Sequence, residues 1–214
     1  MANYFSKFPK LYYSYNDYNT ADFVTNLMAR FALEKNVKNF TASYYEYDVT
    51  DGETPEVIAS KFYDSPERHW IILFMNEIVD PQYEWPLSTI NLNNYIDKKY
   101  STSQYANSNT SGAGVTYAET NVHSYYKIIT TSLSNGEKII KRYEVDSNTY
   151  ANVVVSTSNL TLQDNNVITI STTKTTKSYY EYENEENESK RKIKLLKPEF
   201  VESLEKEVVN LFRT

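Results

Sequence analysis

His69 and His123 are the only imidazoles in the 214 residues, and cysteine is absent. Disulfides, thiolate metal sites and cysteine nucleophiles are therefore excluded. His69 stands beside Trp70 in an apolar run, where an imidazole packs or hydrogen-bonds more readily than it ligates. Neither histidine has metal-ligand spacing such as His-Glu-x-x-His. Asp48, Asp51, Gly52 and Glu53 superficially suggest a calcium loop. With Gly52 at its sixth position, however, Tyr47, Val49 and Ile58 stand where oxygen ligands belong. Gly112-Ala-Gly114 lacks the third glycine of a dinucleotide-binding turn, and no Gly-x-Ser-x-Gly elbow occurs. Acids are plentiful, but context sets no pair apart as general acid and base. The sequence assigns no catalytic residue, no cofactor and no metal, and reads as a non-enzymatic building block of a larger assembly.

Composition bounds the partners. A net charge of −6, with most basic residues beside acids, argues against nucleic acid. No apolar run approaches the roughly 20 residues of a membrane helix, and the amino terminus lacks a signal-peptide stretch, so a soluble protein is expected. The 21 tyrosines, against 9 Phe and 2 Trp, suit half-buried strands and protein interfaces alike.

The elements that would position these residues begin with an aromatic arm, Tyr4 to Tyr18, and a short helix from Asp22 to Leu33. Tyr44 to Val49 alternates as a strand and ends at the turn Asp51-Gly52. Thr54 then reads as a helix N-cap and Pro55 as its first residue, with Val57, Ile58, Ala59 and Phe62 as the apolar face. Ser65-Pro66-Glu67 repeats that start signal before a helix to Met75, apolar nearly all round and so buried on several sides. Asp80-Pro81 and Trp85-Pro86 read as turn or extended exits. A helix to Tyr100 follows, capped by Ser88, with Ile90, Leu92, Tyr95 and Ile96 inward.

Ser101 to Gly114 has the composition of a flexible linker. Two hairpins are expected beyond it. One spans Tyr125–Leu133 and Glu137–Val145 around Asn135-Gly136; the other spans Ala151–Thr157 and Val167–Thr173 around Asp164-Asn165-Asn166. Thr169, Ser171 and Thr173 imply a sheet with one wet face. Five acids in Glu181–Glu188 precede five bases in Lys190–Lys197, a pattern that suits a solvated charged turn or a two-sided docking strip. Pro198-Glu199 opens a last helix whose stripe is Phe200, Val201, Leu204, Val208, Leu211 and Phe212.

Tyr45 to Tyr63 resembles the opening of a LysM module: a strand, an Asp-Gly-Glu-Thr turn and a helix with an Ile-Ala core, with Leu73 and Asn76 in the usual places of the second helix. That resemblance implies a βααβ fold and, as one reading, a peptidoglycan- or glycan-binding module. The heavy apolar run around Trp70 and the exit after Asn76 depart from glycan-binding members. They resemble instead the baseplate wedge family of T-even-type contractile-tailed phages, the products of gene fifty-three. The matching stretches are Asp51 to Ala59, Pro66 to Asn76 and Asp80 to Pro86, with the acidic-then-basic segment around Arg191 and Ile193 near the end.

This resemblance implies an α+β chain. A LysM-like βααβ core domain (44–100) would follow an N-terminal arm and helix (1–43). An inserted antiparallel β region (101–180) would precede a charged segment and C-terminal helix (181–214). It also implies a virion protein of the tail baseplate, assembled in the host cytoplasm and joining neighbouring wedges around the hub. Its partners would be other wedge proteins and hub proteins, in six copies or a multiple of six, with neither nucleic acid nor membrane. The expected interface or structural residues are Asp51, Gly52, Pro55 and Ile58 of the turn and first helix, and Trp70 and Asn76 of the second. Asp80, Pro81, Trp85 and Pro86 join them from the exit, and Phe200 and Leu204 from the last helix.

Overall fold

The structure is a computed structural model that describes residues 8–14, 21–26, 43–162 and 167–211. It divides into two compact units: the described residues up to Ser88 with those from Ser189 onward, and Thr89–Glu188. In chain order its elements begin β1 (Lys10–Tyr13), β2 (Asp22–Thr25), β3 (Tyr44–Asp48), α1 (Pro55–Tyr63), a 3-10 turn (Pro66–Arg68), α2 (His69–Met75), α3 (Pro81–Glu84), α4 (Thr89–Tyr100) and α5 (Ala113–Thr120). They continue β4 (Val122–Leu133), β5 (Lys138–Val145), α6 (Ser147–Asn152), β6 (Ser156–Thr161), β7 (Val167–Ser178), α7 (Tyr179–Ser189), β8 (Lys192–Leu196) and α8 (Pro198–Leu211). Helices and antiparallel sheets together make the α+β class expected.

In the first unit β1 and β2 pair antiparallel, with Tyr12 opposite Phe23. Asp22 to Thr25 is thus a strand where a helix was expected, because Phe23, Val24 and Thr25 are aromatic or β-branched and prefer a pleated backbone. The remainder of that expected helix, with Tyr4, Phe5 and Tyr15 of the arm, lies outside the described residues. Thr54 caps α1 by accepting from Val57 N, with Pro55 at its first position, as expected. Ser65 makes no side-chain cap, and a 3-10 turn rather than a full helical turn leads into α2.

A short α2 surrounded by core is stable because Trp70, Ile71, Ile72 and Met75 are all buried. The second strand of this β-α-α-β arrangement is β8, which runs antiparallel to β3 from Tyr44↔Leu196 to Asp48↔Lys192. The Lys190–Lys197 block is therefore no solvated charged turn. Ile193 and Leu195 alternate with Lys192 and Lys194 at a strand's period of two, burying the first pair. From α8, Val201, Leu204 and Val208 complete the core, while Phe200 remains 37 % exposed at its edge. The side chains of Leu211 and Phe212 lie outside the described residues.

In the second unit, α4 buries Leu92, Ile96 and Tyr100 at steps of four. Ile90 and Tyr95, expected inward, are exposed, because they sit off that stripe by roughly 200° and 100° at 3.6 residues per turn. The Ser101–Gly114 segment is not a free linker. The Asp97 carboxylate accepts from Gly112 N at 2.9 Å and Gly114 N at 2.8 Å, which anchors the start of α5 to α4. The Ser/Asn-rich composition hid this because the anchor lies on the preceding helix.

The four strands stand in the order β5-β4-β7-β6, all antiparallel. The Asn135-Gly136 hairpin forms as expected, with Gly136 at φ +90° and its N–H bonded to Leu133 O. Ala151 falls in α6 and not in a strand, since Asp146 caps that helix through Asn148 N and Thr149 N; β6 begins only at Ser156. Asp164-Asn165-Asn166 lies outside the described residues. Register places Thr169, Ser171 and Thr173 together on one face, which Ile128, Ile140 and Val167 share.

The acidic run forms α7, where buried Glu183 accepts from Tyr100 Oη at 2.7 Å and Lys99 Nζ at 2.6 Å, and Glu185 pairs with Lys177. A named pair of partners thus replaces solvent for Glu183, whereas Glu185 stays 59 % exposed. Rings of Tyr100, Tyr105, Tyr117 and Tyr179 pack on one another, the Tyr100–Tyr105 centroids 4.9 Å apart. Gly114 sits hard against α4, since a Cβ there would lie 2.2 Å from Asp97 O. Gly114→Ala should destabilise the full-length chain by about 2 kcal/mol or more, read as a lowered urea midpoint.

Candidate structural and interaction site

The segment singled out by sequence begins where β3 ends. Gly52 takes φ +79°, and Glu53 N donates to Thr50 O to close the turn. This returns Glu53 beneath the strand, where its carboxylate accepts from Tyr47 Oη at 2.8 Å and Thr50 N at 3.0 Å and pairs with Lys61 of α1. Burial pushes this carboxyl's pKa up. The donors from Lys61, Thr50 and Tyr47 outweigh that and hold it at about 2. Such a group stays ionised and serves as an anchor, not a proton donor. The main-chain oxygen of the same residue accepts from Trp85 Nε1 at 2.8 Å, so the exit folds back onto the turn.

Asn76 provides a second clamp. Its side-chain amide donates to Lys194 O at 2.9 Å and accepts from Lys194 N at 2.8 Å, occupying the backbone groups of β8 that face away from β3. The same Nδ2 also donates to Ile72 O, which closes α2. A side chain here imitates a neighbouring strand. Arg191 ties the third corner: its guanidinium donates to Val49 O at 3.2 Å, to Leu87 O at 3.5 Å and to Asp51 Oδ1 at 3.4 Å. Beside it, Lys190 Nζ donates to Tyr83 O. Tyr63 Oη donates to Leu196 O in the interior, and burial pushes the phenol's pKa well above its ordinary value. Arg68 joins α1 to α8 through Tyr63 O and Glu205.

Of the residues expected from sequence, Pro55, Ile58, Trp70, Trp85, Pro86 and Leu204 are buried, and Asn76 is half-buried. Asp51, Gly52, Asp80 and Pro81 are exposed. Asp80 did not leave the exit extended: it accepts from Gln82 N and caps α3, and Pro81 fits the first position of that short helix. Glu84 strengthens the start by accepting from Val79 N and Asp80 N. The residues expected at the site did not include Glu53, Lys61 or Arg191, which do most of the polar tying. The Glu53–Lys61 spacing spans a turn and a helix, so no local period reveals it.

Among the described residues no group of three or more His, Asp and Glu side chains could hold a metal ion. His69 Nδ1 donates to Pro66 O at 3.0 Å, and His123 stacks on Tyr182 at 4.0 Å, so both imidazoles have packing partners. No helix among the described residues is long and apolar enough to cross a membrane.

Two substitutions probe these clamps. Glu53→Gln keeps the shape and removes the charge, and should cost about 1–2 kcal/mol at pH 7 by urea denaturation. The wild-type carboxyl titrates below its ordinary 4.5, so its contribution is complete above that value and fades as pH falls towards about 2. The gap between the two proteins should close across that window. Asn76→Ala should cost about 1–3 kcal/mol, because Lys194 loses both partners on its outer side.

No curated protein matches the chain. The profile of the family described as Base plate wedge protein 53 matches residues 4–211, running through both units and through the strand-rich region between the motifs. The chain therefore belongs to the family Base plate wedge protein 53.

Proposed function

We propose that this chain, as a structural protein of the phage tail baseplate associated with other baseplate components in the virion, joins neighbouring wedges around the tail hub through protein–protein contacts. It does so in six copies per baseplate or a multiple of six, without catalysing a reaction. On this reading the β3-α1-α2-β8 arrangement is a LysM-like fold put to structural use. Its buried tryptophans hold shape, while Asp80, Pro81 and Phe200 are available to partners.

The observation that carries the reading is the β1–β2 hairpin. Two four-residue strands are marginal by themselves in water. This pair nonetheless displays Tyr12 at 75 % and Phe23 at 58 % exposure, their rings 5.0 Å apart, with Tyr13 also open. Aromatic side chains presented on so small a sheet suit an interface anchor. No observation favours the glycan-binding alternative.

The test is co-expression of the full-length chain with the wedge proteins of its own phage. It should co-purify with at least one of them in a complex of fixed stoichiometry. A chain that stays monomeric and binds none of them would sink the reading. Tyr12→Ser combined with Phe23→Ser should weaken that complex about tenfold or more while leaving the melting temperature of the isolated chain nearly unchanged.

A further inference from the structure

The sheet of the second unit has two unlike faces. Residues paired across strands share a face, as do residues two apart along one strand. By that rule Thr130, Ser132, Thr157, Asn159, Thr169 and Ser171 fall on one side, together with Ile128, Ile140 and Val167. The opposite side is the more apolar: beside Thr131, Ser156, Ser158 and Thr172 it gathers Ile129, Leu133, Ile139, Leu160, Ile168 and Ile170. Leu133, Ile168 and Leu160 form one continuous row across three strands. At one end of this apolar side α6 packs its Tyr150 ring 4.9 Å from Tyr125. Toward the other end the side chains stay open: Leu160 is 56 %, Ile139 53 % and Ile170 37 % exposed.

The charges on this side are all of one sign. Lys127 and Lys174 stand directly opposite each other, and Lys141 lies one row further along. Lysines placed directly opposite repel. Lys174 Nζ donates to Tyr150 O, which satisfies hydrogen bonding but neutralises no charge. Among the described residues none of the three makes an ion pair, and no strand residue on this side is acidic. The chain as a whole is acidic, at −6, so this side stands against its overall balance.

We propose that this face docks another baseplate protein through an apolar surface bordered by Asp and Glu carboxylates. The inference rests on the wedge-joining reading and specifies one surface and the chemistry of its partner. Isoleucine and leucine supply the area, and the three lysines select acidic neighbours. A second copy of the same face offers no carboxylate, so it would leave the lysines unmatched. Nucleic acid would use the lysines but not the isoleucines.

The complex of the full-length chain with its co-expressed wedge proteins is the probe. A wild-type chain that captures none of them overturns the wedge-joining reading and this inference together. Given a complex, zero-length carbodiimide coupling should join Lys127, Lys141 or Lys174 to an Asp or Glu of a different protein. Lys127→Glu with Lys141→Glu should raise the dissociation constant about tenfold or more, and Ile139→Ser with Ile170→Ser likewise. Thr169→Ala with Ser171→Ala on the opposite side should leave it within about twofold. Wild-type affinity in both the lysine and the isoleucine variants would overturn the docking face alone. So would cross-links solely between copies of this chain, or release of the partner by duplex DNA. The cross-link result on the wild-type chain stands even where a variant fails to fold.

Discussion

Strand β8 reaches β3 only after the whole second unit has been traversed, and the first unit has no complete core until it arrives. Ile193, Leu195 and Leu196 fill the floor beneath α1 and α2, and Asn76 binds the outer edge of the same strand through Lys194. Residues 44–85 alone would leave Ile58, Ile71 and Ile72 facing a missing layer. Closing so long an excursion costs little more entropy than closing a shorter one, because the penalty grows only with the logarithm of length. The inserted unit is therefore thermodynamically tolerable, provided its two ends are held together. Arg191 and Lys190 bind Leu87 and Tyr83, so the departing and returning segments meet inside the first unit. Within the second unit Tyr180 reaches Asn93 and Glu183 reaches Lys99, which pins α7 to α4.

That constraint explains which parts of the fold were legible from the residues. Thr54-Pro55, the all-round apolar α2 and the Asn135-Gly136 hairpin are local signals, and each determined its own element. The partner of β3 was not local. Lys190–Lys197 displays its charges more loudly than its alternation, so a buried strand looked like a solvated turn until its two leucines and Ile193 were found inside. The same masking hid α5, whose start depends on Asp97 fifteen residues back from Gly112. Strand propensity in Phe23-Val24-Thr25 overrode a capping signal at Asp22, because a cap stabilises only a helix that the following residues favour.

Among the selected site residues, motif resemblance drew buried and exposed side chains together without separating them. Trp70 and Trp85 are large, rare and placed in motifs, yet both are buried, and Trp85 spends its one donor on Glu53 O. The polar ties lie on ordinary residues. Glu53 satisfies three donors at once, so its ionised state is part of the fold and not a reserve for chemistry. Among the described residues no buried side-chain nitrogen or oxygen lacks a partner.

The two units therefore differ in how they use apolar surface. The first turns it inward, closing one core with a strand and a helix from the chain's far end. The second packs its tyrosines on one another beside Glu183 and leaves a broad sheet on which Ile139, Ile140 and Ile170 remain exposed. A lone protein gains nothing from that exposure, since each apolar side chain left in water forgoes roughly 1.5–3 kcal/mol of burial. If the proposed docking face is right, the same surface is the reservoir from which association draws. Lysines spaced through it disfavour face-to-face stacking of like sheets. They also penalise any partner that brings no opposite charge, which turns a generally adhesive surface into a selective one.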